Sequence, residues 1–233
     1  MPFRATRRIR NSDRTVGGRI SGEIALRHGG GGLDRGSVDL RFTGSAGQSF
    51  GAFCGPGMRL ELAGEANDYV GKGLCGAVLV LRPSGAARRA THRNVILGNV
   101  SLYGATSGWL FAAGVGGERF AVRNSGASAV IEGVGDHCCE YMTGGIVVVM
   151  GRTGVNFGAG MTGGVAYVYD EDETFPGRVN IESVTCARPD DDDLEVLLSL
   201  IREHVVQTGS VHAERLASDW ARCSSRFWKV IPI

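Results

Sequence analysis

The sequence predicts an all-β solenoid: a single-stranded parallel β-helix with an N-terminal helix before it and two C-terminal capping helices after it. Three observations carry this expectation. The first is a glycine motif that returns at a fixed interval. The stretch Gly160-Met161-Thr162-Gly163-Gly164-Val165-Ala166-Tyr167-Val168 repeats Tyr141-Met142-Thr143-Gly144-Gly145-Ile146-Val147-Val148-Val149, with Met161 19 residues after Met142, and Gly73–Val80 is a third copy. A period near 20 residues marks stacked units, none of which buries its own apolar face alone. The second is another family of corners, Gly44–Gly47, Gly104–Gly108 and Ser125–Ser128, each after a short strand. Gly104 to Gly126 spans 22 residues and Gly126 to Gly144 spans 18, about what one coil of two or three short strands requires. The third is composition. Glycine supplies 37 of 233 residues, about twice the ordinary share of about 7%. Yet 43% of the chain is hydrophobic and only 6 residues are proline, which excludes collagen-like and disordered chains. A Greek-key sandwich would not demand one glycine signature at nearly constant spacing.

Each element follows in order. Residues 1–13 are expected as an extended lead-in, carrying Arg4, Arg7, Arg8 and Arg10 with few acids. Residues 14–28 are expected as a helix: Val16, Ile20 and Ile24 recur on one face, Ser12 or Asp13 caps its start, and Gly29–Gly32 ends it. Ser37–Phe42 alternates with period two, as a half-buried strand does. From there to about Val168, strands of four to six residues alternate with glycine corners, and residues 14–188 form the β-helix domain. Residues 189–233 form a helical cap and tail. The acidic run Asp190–Asp193 favours a helix N-terminus. Leu194, Leu197, Leu198, Ile201 and Val205 continue at helical spacing, and Gly209 stops the helix. Ser210 caps a second helix bearing Ala213, Leu216, Ala217 and Trp220. These two helices are expected to close the open end of the solenoid, and Phe227–Ile233 to dock as an extended tail.

Two segments, Gly71–Gly76 and Gly158–Gly163, spell G-x-G-x-x-G. A dinucleotide-binding fingerprint follows a strand and opens a helix, so that the helix N-terminus meets the pyrophosphate. Here the glycines precede the β-branched and aromatic runs Ala77–Leu81 and Val165–Tyr169. They are therefore expected to be tight corners where glycine supplies positive φ.

The formal charge of +1 gives no electrostatic case for nucleic acid or an anionic membrane. Runs such as Ile146–Met150 fall far short of the roughly 20 apolar residues of a membrane span. No apolar signal core opens the chain, and a cytoplasmic location is expected. Cys54, Cys75, Cys138, Cys139, Cys186 and Cys223 lack metal-ligand spacing and are expected to be free, mostly buried thiols. Among five histidines, His28, His204 and His212 fall on helices or at their ends, where solvated rings are usual. Asp136-His137 has the composition of an acid/base pair, but adjacent side chains rarely orient one another. Glu65 and Asn67-Asp68-Tyr69 sit at a corner, where Asn and Asp serve turns locally. No nucleophile elbow, zinc-protease helix or phosphate loop is present. No catalytic, cofactor-binding or metal residue is therefore assigned.

Several long segments carry a family resemblance. Arg14–Ile24, Phe42–Phe53, Gly64–Leu74, Val95–Val100, Gly104–Gly108, Phe120–Ala127, Glu132–His137 and Glu140–Gly145 resemble the C-terminal domain of the glutamate synthase large subunit. The resemblance runs from about Asn11 to Pro232. It implies a right-handed β-helix of G-x-G-x-G repeats that carries no catalytic residue of its own. It also implies partners: an amidotransferase domain, and a synthase domain holding FMN and an iron–sulfur cluster. The family's amidotransferase cysteine is an N-terminal residue, whereas this chain begins Met1-Pro2. The run Gly29–Gly32, and Cys54 and Cys138, depart from the family's usual residues.

The expected function is thus a non-catalytic structural domain or subunit of a glutamate synthase, with association of copies left open. One alternative is the equivalent subunit of a split relative such as an N-methylglutamate synthase. Another is an independent β-helix enzyme or binding protein. Against the last, Asp39, Glu61, Glu65, Asp68, Glu118, Glu132, Asp136 and Glu140 do not recur at the coil period, as clustered carboxylates on successive rungs would.

Overall fold

The computed structural model describes residues 2–85 and 91–233, so Met1 lies outside the described residues. Seven strands stack in parallel: β2 (Val38–Ala46), β3 (Met58–Ala66), β4 (Cys75–Arg82), β6 (Ser107–Gly116), β7 (Ser125–Gly133), β8 (Thr143–Val149) and β9 (Gly163–Tyr169). They form a solenoid of about six turns. The short β5 (Val95–Leu97) bridges β3 and β6. At one end β1 (Phe3–Ile9) lies parallel to β2 alone. At the other, β11 (Phe227–Pro232) pairs antiparallel with both β9 and β10 (Val184–Ala187).

Register explains the core. Leu40, Leu60, Leu79, Leu110, Ala129, Val147 and Ala166 align coil upon coil, and Phe42, Leu62, Leu81, Ala112, Ile131, Val149 and Val168 form a second column. Both columns point inward and are buried. No coil is stable alone, because each inward residue finds its neighbours one coil above and one below.

The side of the coil opposite the strands is built from turns. In six successive coils three residues two apart adopt positive φ: Ser49, Gly51 and Phe53; Tyr69, Gly71 and Gly73; Val100, Leu102 and Gly104; Arg119, Ala121 and Arg123; His137, Cys139 and Tyr141; Asn156, Gly158 and Gly160. The backbone N–H groups of such residues point alternately to the coils on either side. Tyr69 donates forward to Asn99 O at 2.9 Å, Gly71 back to Phe50 O at 2.9 Å, and Gly73 forward to Tyr103 O at 2.8 Å. The same pattern recurs where no glycine is present: Arg119 donates to Asp136 O at 2.8 Å, Ala121 to Ser101 O at 2.9 Å and Arg123 to Glu140 O at 2.9 Å. The left-handed region costs an L-residue about 1–2 kcal/mol, and the inter-coil hydrogen bonds hold it there. Both G-x-G-x-x-G segments are coils of this ladder.

Where turns give way to strands, the coils approach too closely for a side chain. A Cβ on Gly145, at φ +93°, would fall 2.2 Å from Ala127 O. Asn124, fully buried beside it, secures this corner by donating Nδ2 to Ala127 O at 2.8 Å and accepting the Ala127 N–H at 3.0 Å.

The outward face of the sheet changes along the stack. In β2 and β3 it is charged: Arg59 Nη1 lies 2.9 Å from Glu61 Oε2, and Arg82 Nη2 2.7 Å from Glu61 Oε1. From β4 onward the outward column is Val80, Phe111, Val130, Val148 and Tyr167. Strands apolar on both faces require a second covering layer. Here α2 (Asp191–Thr208) and α3 (Val211–Ser218) supply it, with Leu197, Leu200, Ile201, Ala213 and Leu216 packed on that column. The helices therefore cover the flank of the solenoid, correcting the expectation that they close its end. The paired strands β11 and β10 lie at that end instead.

Asp190 caps α2 in a capping box with Asp193. Asp193 also anchors the helix, accepting the Tyr167 hydroxyl and Lys229 Nζ, each at 2.6 Å. The short α4 (Trp220–Cys223) leads into β11. The N-terminal helix, α1 (Gly18–His28), starts four residues later than expected. Thr15 and Gly17 have positive φ, and Asp13 turns back to accept the Arg10 N–H at 2.7 Å rather than capping the helix. Its buried contact is Ser21, bonded to Phe53 O at 2.7 Å and Gly55 N at 3.0 Å, while Ile20 is exposed. Among the described residues no helix is long and apolar enough to cross a membrane.

Two glycine substitutions should separate close approach from propensity. Gly145→Ala is expected to destabilise the chain by at least about 2 kcal/mol. Gly22→Ala, in α1 with open space around it, should stabilise by about 0.5–1 kcal/mol. Denaturant titration of both variants checks the contrast. Asn124→Ala should cost about 1–3 kcal/mol, the penalty for stranding buried backbone groups, read from the same titrations.

Candidate functional site

The residues singled out in the sequence serve the stack. Asp68 Oδ1 accepts the Asn99 N–H, Asn99 Oδ1 the Glu118 N–H, and Asp136 Oδ1 the Val155 N–H, each at 2.8 Å. These side chains extend the coil-to-coil ladder at one recurring position. Asp136 therefore does not orient His137, whose Nδ1 lies 3.0 Å from Asn156 Nδ2. Since the amide nitrogen only donates, that ring nitrogen is the acceptor. Asn67 turns to Asn11 at 3.2 Å. All six cysteines are free thiols; Cys54, Cys138, Cys139 and Cys223 are buried, Cys186 partly so, and Cys75 is exposed. Burial, and then the neighbouring Cys75, push the Cys54 thiol up to about 12, so it is unreactive at neutral pH. Among the described residues no three His, Cys, Asp or Glu side chains converge as a metal site.

The most concentrated polar chemistry lies elsewhere, where the helical flank meets the solenoid. Glu132, on β7, is fully buried. It accepts a hydrogen bond from Ser210 Oγ, and His204 Nε2 stands 3.5 Å from the same oxygen. His204, on α2, is also fully buried, correcting the expectation that it is solvated; His212, on α3, is nearly so. His212 Nε2 lies 2.6 Å from Met150 O. A carbonyl only accepts, so this nitrogen carries the proton. His92 stacks on His212 with ring centroids 4.4 Å apart.

The electrostatics of this joint are one-sided. Burial pushes the Glu132 carboxyl up, but the adjacent His204 ring and the Ser210 hydroxyl bonded to it outweigh that and hold the group below its ordinary value. Burial lowers His204 despite the raising effect of Glu132. His92 is lowered by burial and then by His212. At neutral pH the joint holds an ionised carboxylate beside the neutral imidazoles of His204 and His92.

Serine, histidine and carboxylate meet here without forming a nucleophilic triad. An activated serine gives its proton to an imidazole base. Ser210 gives its proton to Glu132 and accepts the Ala213 N–H at 3.0 Å, acting as the cap of α3. The joint binds helix to coil. A cleft of about 740 Å³ adjoins it, lined by His92, His212, Arg152, Asp170 and Arg178 among others. Its charged groups are largely engaged with their own surroundings. Asp170 accepts Trp228 Nε1 and the Thr174 N–H, each at 3.0 Å, Arg178 donates to Thr153 O, and Arg152 lies 3.7 Å from Asp172.

Nothing in the helical periodicity separated His204 from an exposed position. The available signal was Glu132 inside the apolar run Val130–Val134, a carboxylate that required buried partners.

The joint predicts a pH dependence. A histidine whose folded value is lowered leaves the unfolded chain binding more protons, so stability falls as pH drops below the unfolded value near 6.5. Glu132, also lowered, adds a loss of the same sign below about 4.5. Melting temperature should therefore decline from pH 6.5 downward. His204→Phe, which cannot take a proton, should flatten that limb while lowering stability at neutral pH. An unchanged slope in thermal melts of the variant would assign the limb to other groups.

Comparison with known sequences places this geometry in context. The GXGXG motif model matches residues 1–233. Glutamate synthase [NADH] of Schizosaccharomyces pombe is 53% identical over 225 residues, covering 96% of this chain and 11% of that protein. Ferredoxin-dependent glutamate synthase of Pyropia yezoensis is 53% identical over 226 residues, covering 97% of the chain and 15% of that protein. Ferredoxin-dependent glutamate synthase 2, chloroplastic, of Arabidopsis thaliana is 50% identical over 228 residues, covering 97% and 14% respectively. The chain thus spans only 11–15% of the length of these relatives.

Proposed function

The chain belongs to the GXGXG family, and from that premise we propose that it is a non-catalytic structural domain or subunit of a glutamate synthase. The observation that carries this reading is the match along 96–97% of the chain to proteins bearing that name. The geometry supports it. The candidate acid/base residues are committed to the coil ladder, and the buried Ser210–His204–Glu132 cluster joins helix to coil. In this reading the solenoid packs against an amidotransferase domain and a synthase domain and holds them in register for ammonia transfer. The synthase domain would hold FMN and an iron–sulfur cluster. The assembled enzyme would make glutamate from glutamine and 2-oxoglutarate. A cytoplasmic location belongs to the same reading, supported by six unpaired thiols of the kind a reducing compartment maintains.

Affinity purification from the native source, with complex mass and an absorbance scan, tests this. A yellow-brown assembly containing the amidotransferase and flavin polypeptides, or one long polypeptide containing this segment, is the expected result. A colourless species of this chain alone would overturn the proposal. So would glutamate formation by the isolated chain.

A further inference from the structure

The first and last stretches of the chain carry opposite charge. Residues 1–60 hold ten arginines against four acidic residues, and residues 161–233 hold thirteen acidic residues against seven basic ones. At the basic end stands β1, the last strand of the sheet, paired on one side only. Phe3 N donates to Ser37 O at 2.7 Å, so the odd residues of β1 direct their backbone groups to β2. By alternation, the N–H and C=O groups of Arg4, Thr6 and Arg8 lie along the free edge, where the Thr6 carbonyl accepts Arg7 Nη1 at 2.9 Å and a docking strand would displace it. Arg4, Arg7, Arg8 and Arg10 are all exposed. None of them has an ion-pair partner among the described residues, in contrast to the paired arginines of β2 and β3.

We infer that β1 is a docking edge for an acidic, extended segment of a partner polypeptide, which adds to the sheet as a further strand. Two independent features converge on that occupant. The free backbone row offers a ladder of main-chain hydrogen bonds, the basis of strand addition. The uncompensated guanidiniums select carboxylates, which they bind in paired geometry. Charged side chains on an edge also suppress pairing with neutral or like-charged strands. Self-pairing of β1 with a second copy would set arginine against arginine. Nucleic acid satisfies the charge but has no backbone to continue the ladder.

The experiment uses the full chain and a short labelled peptide of alternating glutamate and valine. Its lysine–valine counterpart and a single-stranded oligonucleotide serve as competitors. The acidic peptide should bind saturably, more weakly at high salt, and should slow hydrogen exchange at the Arg4, Thr6 and Arg8 amides. Thr6→Pro removes a free-edge donor without touching the bonds to β2 and should weaken binding at least tenfold. Arg4→Glu combined with Arg8→Glu should do the same, while Arg202→Glu, exposed on α2, should change nothing. Absence of saturable binding overturns the inference, as does binding that leaves those amides unprotected or is indifferent to Thr6→Pro. Displacement by the oligonucleotide, or self-association through β1 in sedimentation equilibrium, would also overturn it.

Discussion

Everything in this molecule depends on backbone hydrogen bonds that run from coil to coil on the side facing away from the strands. A parallel sheet satisfies its own backbone, but the chain must then travel back beneath the next strand without burying unpaired groups. The solution is a run of residues alternating in and out of the left-handed region, so that successive N–H groups face opposite neighbours. Glycine suits these positions, yet Leu102, Ala121 and Cys139 occupy the middle place in three coils. Their side chains point into the core, where burial offsets conformational cost. The motif is therefore a geometry first and a composition second.

That ladder fixes the spacing of the coils, and the spacing fixes the rest. Side chains at equivalent positions form columns, so the character of a column decides what covers it. The outward column is charged over β2 and β3 and apolar from β4 onward, and α2 lies over the apolar part. Arg59 marks the boundary, donating to Gln207 on α2 at 3.1 Å. Where helix meets coil, the Glu132 joint replaces apolar packing with a fixed set of polar contacts. Breaking one partner of such a set strands the others in a dry interior, which makes the register of helix on coil specific.

The architecture was legible because its cause is periodic. The repeat around Met142 and Met161, the glycine corners and the alternation in Ser37–Phe42 all report the coil directly. The helices at 191–208 and 211–218 were legible from caps and apolar spacing. Their placement was not, although the clue was present: Ala77–Leu81 and Ile146–Val149 are apolar at every position, as strands covered on both faces are. The late start of α1 escaped because Asp13 has two ways to satisfy a backbone donor, and it takes the one at Arg10. His204 and His212 escaped because helical spacing gives a face and not its partner.

The order in which the parts are synthesised adds a further consequence. Coils can stack as they emerge, since each needs only its predecessor. The outward column from Val80 to Tyr167 has no cover until the segment from Asp191 to Pro232 leaves the ribosome, which at ordinary elongation rates takes on the order of a few seconds. During that interval a nearly complete solenoid presents a flat apolar wall to the surrounding solution. The nascent solenoid is most exposed to aggregation just before its helical cover emerges, and a truncation just before α2 would be arrested in that state.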